Sequence, residues 1–383
     1  MRVLIASDSF KGSLKSLEVA DIIEKGIRRV YGAAHVEKIA LADGGEGTVE
    51  AIVESLKGEY RCVEVSGPLG DKVRARYGVV NGGTAIIEMA EASGLYLIPG
   101  EKRNPLATST YGTGELIRDA MNLGCRRIIL GIGGSATNDG GMGMAAALGV
   151  KFLDQNGNHL EPGGGHLDRL SKIDIGGISP LIAETEFLVA SDVNNPLCGE
   201  RGASRVFGPQ KGASRQMVEV LDRNLLHYAD IIKKELSMDV KDVPGAGAAG
   251  GTGAGLVVFC GAKIAKGIDV VLDTVNIEDR IKDADVVITG EGRLDEQTAY
   301  GKAPVGLALR AKKYGKPVFA VVGSIGKGAD LVYRHGIDAV MSAVVNPVTL
   351  DEAIKESPRL IEEASERLFR IIRAVESAAP FAS

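Results

Sequence analysis

Short apolar segments, each followed by a glycine-rich polar loop and then by a segment of helical periodicity, recur along this chain. Residues 3–6 precede the loop SDSFKGS and a helical pattern over 16–30. Residues 35–41 precede the loop ADGGEG and a helical pattern over about 48–56. Strands that are joined through helices form parallel sheets, and the helices cover the faces of those sheets. The recurrence therefore predicts an α/β protein.

The middle of the chain differs from its two ends. Residues 61–89 form strand-like runs separated by the turn signals GPLGD and NGG, whereas residues 285–322 return to the opening pattern. We therefore predict two domains. A flavodoxin- or Rossmann-like parallel-sheet domain is built from residues 1–65 and 285–383, and a second α/β domain is inserted at 66–284. The active site is expected in the cleft between these domains.

Charge and composition exclude several classes of function. The net charge of −5, the 4% aromatic content and the absence of tryptophan argue against a nucleic-acid partner, which requires a basic face and stacking rings. The four cysteines form no C-x-x-C pair, which favours free thiols in a reducing compartment. No segment approaches the ~18 apolar residues of a membrane span, and the first residues turn polar too early for a signal peptide. We expect a cytoplasmic protein without a membrane partner, and a homo-oligomer is compatible with the sequence.

Glycine is enriched to 51 residues, and the glycines cluster in loops that follow predicted strands or precede predicted helices. The loops are SDSFKGS (7–13), ADGGEGT (42–48), GIGGSATNDGGMG (131–143), SDVNNPLCG (191–199), FGPQKGA (207–213), PGAGAAGGTGAG (244–255), TGEGRLDEQTAYGK (289–302) and GSIGKG (323–328). Glycine lets backbone N–H groups approach phosphate oxygens, and carboxylates bind Mg²⁺ directly or through water. The loops therefore predict a site for a polyanion and a divalent cation.

Two of these loops allow other interpretations. GIGGSATNDGGMG lacks the Lys-Ser/Thr pair of a P-loop, and taken alone it is equally compatible with a structural turn. The loop at 244–255 contains G-x-G-x-x-G at Gly245, Gly247 and Gly250. No predicted strand precedes this motif, and no acidic residue follows a second strand about 20 residues later, so a phosphate site is favoured over a nicotinamide site.

Charged residues in these loops are candidates for chemistry. Lys11 lies just before a helix, where a lysine is unfavourable unless an anion binds beside it, and Lys211 and Lys302 share this placement. Asp192 directly follows an apolar strand, with an Asx-turn as the structural alternative. The other acidic candidates, for which helix capping is the alternative, are Asp43, Glu46, Glu291 and Asp295. No histidine pair has metal-ligand spacing, so zinc chemistry and a Ser-His-Asp triad are poorly supported.

Seven segments, in order over nearly the whole chain, resemble one known family. They are DSFKGSL (8–14), ADGGEGT (42–48), GIGGSATNDGGMG (131–143), SDVNNPLCG with RGA (191–203), FGPQKGA (207–213), GAGAAGGTGAG (245–255) and TGEGRLDEQTAYGKAP (289–304). The set is similar to the glycerate kinase family, of the type that includes the bacterial glyoxylate-pathway and glucarate-pathway enzymes. An ordered set of this kind is far more specific than any single glycine loop.

The resemblance implies phosphorylation of D-glycerate by ATP with Mg²⁺, and 2-phosphoglycerate is favoured over 3-phosphoglycerate as the product. It also implies a flavodoxin-like domain with an inserted α/β domain. The remaining alternatives are a kinase for another small hydroxy acid or sugar acid, a nicotinamide-dependent oxidoreductase, and a ligand-binding protein without enzymatic activity.

Loop position and residue type suggest a role for each candidate in such a reaction. Asp192 is the predicted general base with Asp295 as runner-up, and Lys11 is also counted as catalytic. Glycerate is assigned to Ser9, Lys11, Asp43 and Asn194, and Mg²⁺ to Asp8 and Glu291. The nucleotide is assigned to Gly133, Gly134, Ser135, Asn138, Gly250, Gly251 and Gly253.

Overall fold

The computed structural model describes residues 1–42, Gly45 and residues 47–378. The chain divides into two compact units. The terminal unit comprises Met1–Asp43 and Ile268–Ser383, and the central unit comprises Gly44–Gly267. Both ends of the chain therefore contribute to one unit and the middle forms the other.

The described residues form a mixture of helices and strands. The strands are β1 (Arg2–Ser7), β2 (His35–Ala40), β3 (Glu59–Ser66), β4 (Lys72–Val80), β5 (Thr84–Glu88), β6 (Arg127–Gly131), β7 (Lys151–Leu153), β8 (Lys172–Asp174), β9 (Glu186–Ala190), β10 (Lys263–Ala265), β11 (Val286–Thr289), β12 (Arg293–Leu294), β13 (Val318–Val322), β14 (Ser324–Ile325) and β15 (Ala339–Ser342). The α-helices are α1 (Ser16–Arg28), α2 (Thr48–Leu56), α3 (Ala90–Ser93), α4 (Tyr111–Asn122), α5 (Met142–Ala147), α6 (Ala203–Phe207), α7 (Arg215–Leu236), α8 (Ala248–Cys260), α9 (Gly267–Thr274), α10 (Ile277–Asp283), α11 (Glu296–Ala299), α12 (Ala303–Lys312), α13 (Leu350–Lys355) and α14 (Ser357–Ala378). Short 3₁₀ turns lie at Leu95–Leu97, Gly100–Lys102, Gly164–Arg169, Pro180–Glu184, Pro209–Lys211 and Ala329–His335.

The terminal unit is built on a five-stranded, fully parallel sheet in the order β15-β13-β11-β1-β2. If the five strands of this unit are numbered 1 to 5 along the chain and the sheet is read from its β2 edge, the strand order is 2-1-3-4-5. This is the flavodoxin-like arrangement. Helices α1 and α14 pack against each other and, together with β1, form one apolar core. Their close contact requires Gly26, because a Cβ there would lie 2.4 Å from the carbonyl oxygen of Glu362. The predicted flavodoxin-like α/β fold is confirmed.

The central unit has a six-stranded mixed sheet in the order β10-β9-β6-β5-β4-β3. Strands β5, β6, β9 and β10 are parallel, whereas β3, β4 and β5 are antiparallel neighbours. Its core combines β5, β6 and β9 with α4 and α8. The α/β class predicted for the middle of the chain is therefore correct.

The unit boundaries differ from the predicted 65/66 and 284/285. Strand β3 pairs along its whole length with β4, and α2 packs on β4, where a Cβ on Gly78 would lie 2.1 Å from Cγ2 of Val53. These elements therefore belong to the central unit. At the other boundary, α10 packs on β1 and α12 of the terminal unit. The repeated strand–loop–helix pattern does not reveal the first boundary, because β2 and α2 form one such repeat but belong to different units.

In the described residues, no helix is both long enough and apolar enough to cross a membrane. The four cysteines are free, and Cys125, Cys198 and Cys260 are buried.

Candidate active site

A pocket of about 460 Å³ opens at the carboxyl ends of the strands in the terminal unit. The loops after β1, β11, β13 and β15 all contribute to its lining. In a flavodoxin-like sheet the strand order reverses between β1 and β11, and ligands bind in the crevice outside such a switch point. The position of the pocket is therefore a consequence of the topology.

Backbone hydrogen bonds hold these loops against one another. The N–H of Asp8 donates to the carbonyl of Gly290 at 2.9 Å, and the N–H of Gly323 donates to the carbonyl of Glu291 at 3.1 Å. Gly290 is required at this contact, because a Cβ there would lie 2.3 Å from the carbonyl oxygen of Val321. The loops after three neighbouring strands are thus fixed as one assembly.

One end of the pocket is strongly polar. Its lining includes Asp8, Ser9, Lys11, Glu291, Asp295 and Lys302. The sequence predicts a role for each of these residues except Lys302, which it identifies only as a cation just before a helix. The structure therefore brings together candidates that lie almost 300 residues apart in the sequence.

Glu291 is the most deeply buried carboxylate at this end, with 6% of its surface exposed. Burial raises its pKa to about 7, while the hydroxyl of Thr298, which donates to Glu291 Oε1 at 2.5 Å, and the charge of Lys302 act in the opposite direction. The charges of Asp8 and Asp295 raise the pKa further. These three carboxylates therefore repel one another, and a bound cation would relieve that repulsion.

Asp8 and Asp295 also make local hydrogen bonds. Asp8 Oδ1 accepts from the N–H of Ser9 at 2.6 Å. Asp295 caps the short helix α11, since its Oδ1 accepts from the N–H of Gln297 at 2.9 Å, and Arg293 lies 3.6 Å from its other oxygen. The capping alternative considered for Asp295 is therefore realised.

Two lysines supply positive charge at the same end. Lys11 is exposed, and Lys302 is half-buried at the N-cap of α12. The N-terminus of a helix carries a partial positive charge, which is unfavourable beside the positive charge of a lysine. A bound anion would compensate for both of these charges. The polar end of the pocket thus combines carboxylates with cations, as a site for a metal-bound phosphate requires.

The glycine loop at 131–143 follows β6 in the central unit and consists of two different parts. Gly133 and Gly134 are exposed, and Gly134 has a left-handed φ of +68°. The residues from Ser135 to Gly141 are buried, and α5 begins directly after them. Only the first part of the loop presents backbone to a ligand.

Asp139 fixes the buried part of this loop. Its carboxylate accepts hydrogen bonds from the N–H and hydroxyl of Thr110 at 2.8 and 2.9 Å and from the N–H groups of Gly141 and Gly143 at 3.1 and 3.2 Å. Burial raises the pKa of Asp139, and these four donors oppose that shift. No role was assigned to Asp139 from the sequence, although its place between glycines indicated a constrained turn.

Lys211 lies beneath the same loop with only 2% of its surface exposed. Its Nζ donates to the hydroxyl of Ser135 at 2.8 Å and to the carbonyl of Thr137 at 2.7 Å. Burial lowers the pKa of Lys211 to about 7, and the charge of Asp139 acts against this shift. Lys211 therefore holds Ser135 in place directly after the exposed turn.

Four of the residues assigned to the nucleotide are buried: Asn138, Gly250, Gly251 and Gly253. Asn138 Nδ2 donates to the hydroxyl of Ser204 at 3.0 Å. A Cβ on Gly250 would lie 2.0 Å from the carbonyl oxygen of Thr137, and one on Gly253 would lie 2.2 Å from that of Gly245. Their missing side chains allow two chain segments to pack closely, which is a structural reason for glycine at these positions. The same burial leaves the G-x-G-x-x-G motif without an open face for a nicotinamide cofactor.

The remaining candidates lie at the carboxyl end of β9 or outside the described residues. Asp192 is exposed, and its Oδ1 accepts from the N–H of Gly267 at 2.9 Å, at the start of α9. Asn194 is exposed two residues later. Asp43 and Glu46 lie outside the described residues.

Comparisons with known proteins agree with one another over nearly the whole chain. The sequence model of the glycerate kinase family matches residues 3–373. The chain belongs to the glycerate kinase family. A glycerate kinase from Halalkalibacterium halodurans is 54% identical over 367 residues, which cover 96% of this chain and 97% of that protein. A glycerate 2-kinase from Escherichia coli K12 is 53% identical over 369 residues, with the same coverage.

A solved structure extends the agreement to the fold. The crystal structure of a protein from Salmonella typhimurium LT2, assigned as a glycerate kinase 2, superposes with a TM-score of 0.91 at 48% sequence identity. The match covers 98% of this chain and 99% of that one. The resemblance found in the seven sequence segments is thus confirmed, and the chain is an enzyme of the glycerate kinase family.

Proposed function

We propose that this enzyme transfers the γ-phosphoryl group of ATP to the 2-hydroxyl of D-glycerate, with Mg²⁺ as cofactor. The observation that carries the proposal is the pocket at the switch point of the terminal unit, where carboxylates and lysines converge. The similarity to the E. coli protein named glycerate 2-kinase supports the position of transfer.

Lys11 and Lys302 supply the positive charge that phosphoryl transfer needs. The transition state spreads negative charge over the transferred phosphoryl oxygens, and catalysis consists mainly of positioning the reactants and stabilising that charge. Lys302 lies at the N-terminus of α12, and the partial positive charge of this helix end adds to the charge of its ammonium group. We therefore assign Lys302 to the phosphates. Lys11 and the neighbouring Ser9 are assigned to the carboxylate of glycerate.

Asp8 and Glu291 fit the requirements of a magnesium site. Mg²⁺ is usually bound by one or two protein carboxylates together with substrate phosphates and water. In agreement with this, Glu291 is buried beside the charge of Asp8. When bound, the ion would neutralise charge on the transferred phosphate.

Asp192 remains our proposed acceptor of the hydroxyl proton, with Asp295 as the second choice. The carboxylate of Asp192 is exposed at the end of a parallel strand, where catalytic groups commonly lie. Asp295 lines the pocket and, like Asp192, accepts a hydrogen bond from a backbone N–H at the start of a helix, but it is less exposed than Asp192.

The exposed glycines Gly133 and Gly134, together with the buried Ser135 that follows them, are proposed to bind phosphate oxygens of the nucleotide. Successive backbone N–H groups in a glycine turn form a concave anion site. The support from the geometry is the exposure of the two glycines and the hydrogen bond by which Lys211 fixes the hydroxyl of Ser135.

The reaction is tested by incubating the purified protein with D-glycerate and MgATP and observing the product by ³¹P NMR. The phosphorus signal of 2-phosphoglycerate is expected, and that of 3-phosphoglycerate would reassign the acceptor hydroxyl. A folded protein that forms neither product would refute the proposal. Coupled ADP detection with other small hydroxy acids and sugar acids then defines the range of acceptors.

A further inference from the structure

The pocket of the terminal unit has an apolar half in addition to its polar end. We propose that this apolar half receives the nucleobase of the phosphoryl donor and holds it by packing rather than by hydrogen bonds to the base edge. The inference rests on the proposed phosphoryl transfer and adds to it the location and the selectivity of nucleoside binding.

The pocket is larger than glycerate alone would need. A volume of about 460 Å³ corresponds to about fifteen water molecules in the liquid. Glycerate is a three-carbon acid and fills only a small part of that space. Pockets of roughly 300–1,000 Å³ with apolar walls and a few polar groups are typical of nucleoside-sized ligands.

The polar and the apolar side chains of the pocket come mainly from different elements. The polar side chains come from the loops after β1 and β11 and from the N-cap of α12. The apolar side chains come from the residues after β15, from α13 and α14, and from Phe10 in the loop after β1. A ligand with a polyanionic end and an apolar end suits this arrangement, and a nucleotide has both.

The apolar wall includes an incompletely covered helix. Helix α13 has no fully buried residue, and the side chains of Ala353 and Ile354 on its inner side line the pocket while remaining half-buried. Phe10 and Leu360 complete this wall. A flat aromatic base inserted here would remove that apolar surface from water.

The hydroxyl groups in this half already have partners. The hydroxyl of Ser357 donates to the carbonyl of Ile354 at 2.8 Å and lies 2.7 Å from the hydroxyl of Ser13. The N–H of Val344 donates to the carbonyl of Gly323 at 3.2 Å. The hydrogens of these groups are therefore already engaged and are not available to donate to the edge of a base, so we expect weak discrimination between nucleobases.

The first experiment fills the apolar half. In Ala353→Trp an indole would occupy the pocket, whereas Lys355→Trp places the same side chain at an exposed position of α13 that does not line it. We expect Ala353→Trp to raise the KM for MgATP by about ten- to a hundred-fold and to leave the KM for glycerate within about twofold. Lys355→Trp should change neither constant, and circular dichroism should show that both variants are folded.

The proposal would be overturned if the KM for MgATP did not rise in Ala353→Trp. A raised KM for glycerate with an unchanged KM for MgATP would make this half an acceptor site, and two unchanged constants would show that it binds neither substrate. Titration of each folded variant with ADP by calorimetry measures nucleotide binding without turnover. Failure of the wild-type protein to phosphorylate glycerate would instead refute the proposed reaction, so the two failures are distinguishable.

The second experiment tests selectivity in the wild-type enzyme with ATP, GTP and CTP as magnesium complexes. Packing alone distinguishes similar ligands by about a hundred-fold or less, whereas a site that hydrogen-bonds a ligand rejects an analogue lacking those groups by about 10⁴-fold. We expect kcat/KM values for the three donors within about a hundred-fold. A preference for ATP near 10⁴-fold would contradict recognition by packing.

Discussion

Replacing Lys211 by methionine tests how burial controls the charge beneath the glycine loop. The ammonium group of Lys211 is almost completely buried, and its hydrogen-bond acceptors, the hydroxyl of Ser135 and the carbonyl of Thr137, are both uncharged. Burial therefore lowers the pKa of Lys211 from 10.5 to about 7. Methionine keeps an unbranched side chain of similar length and carries no charge.

The sign of the effect follows from proton linkage. Between about pH 7 and pH 10.5 the unfolded chain keeps a proton on Lys211 that the folded chain has released, so the wild-type protein gains stability as the pH rises through this range. Below about pH 7 both states are protonated, and the cost of the buried charge is fully present. From pH 7 to pH 9 the wild type should gain about 2 kcal/mol relative to Lys211→Met, and from pH 5 to pH 7 less than about 0.5 kcal/mol.

Urea unfolding followed by far-UV circular dichroism at pH 5, 7 and 9 measures this difference. If the two units unfold separately, the transition that responds to the Lys211 substitution is assigned to the central unit and compared between the proteins. The two hydrogen bonds lost in Lys211→Met contribute an offset that is independent of pH and cancels between pH values. A difference that stays constant from pH 7 to pH 9 would show that the folded protein keeps Lys211 protonated, and the argument from burial would be refuted.

Three further substitutions test the assigned roles. Asp192→Asn should lower kcat by about 10²-fold or more if this carboxylate accepts the hydroxyl proton, and a near-normal kcat in a folded variant would move the role to another residue. Lys11→Ala should mainly raise the KM for glycerate, and a selective loss of ATP affinity in steady-state assays would reverse the assignment of ligands to loops. Gly250→Ala should cost about 3 kcal/mol or unfold the central unit, because its Cβ would lie 2.0 Å from a carbonyl oxygen at a φ of +67°. The control Gly157→Ala, at a φ of +82° with no atom within 4 Å, should cost only about 1 kcal/mol in the same thermal or urea unfolding experiment.

Hydrophobic periodicity and turn residues predicted most of the helices and strands. The pattern over residues 48–56 corresponds to α2, and the apolar run over residues 187–190, which predicts the strand before Asp192, corresponds to β9. The periodicity of roughly residues 350–376 predicts a single closing helix, which the structure divides into α13 and α14. Pro358 at the start of α14 lacks the N–H that a continuous helix would need, and this signal was present in the sequence.

The assignment of elements to units could not be predicted in the same way. Helix α2 has the expected apolar face, and that face would fit the sheet of either unit. Its position is decided by the close approach of Val53 to Gly78 of β4, which is a contact between distant residues. Local periodicity identifies an amphipathic helix, whereas its partner depends on tertiary packing.

The candidate site was predicted in part, for a related reason. Asp8 and Glu291 follow neighbouring parallel strands, so the rule for strand ends placed them together before any contact was known. Lys211 follows no strand, and its hydrogen bond to Ser135 joins residues 76 positions apart. Sequence reasoning could therefore recognise Lys211 as an unusual cation but could not identify the group that it contacts.

Glycine shows most clearly what the sequence leaves undetermined. The segments around Gly133 and Gly250 are both rich in glycine and are equally suited, in composition, to binding phosphate. In the structure a Cβ on Gly133 would meet no atom closer than 3.7 Å, whereas one on Gly250 would collide with the backbone of the other loop. The buried glycines let the two segments pack together, and the exposed glycines leave backbone open at the surface. Glycine thus permits close packing in the core at one place and leaves the backbone of a turn accessible to a ligand at another. The space around each Cα determines which of these two roles a glycine has.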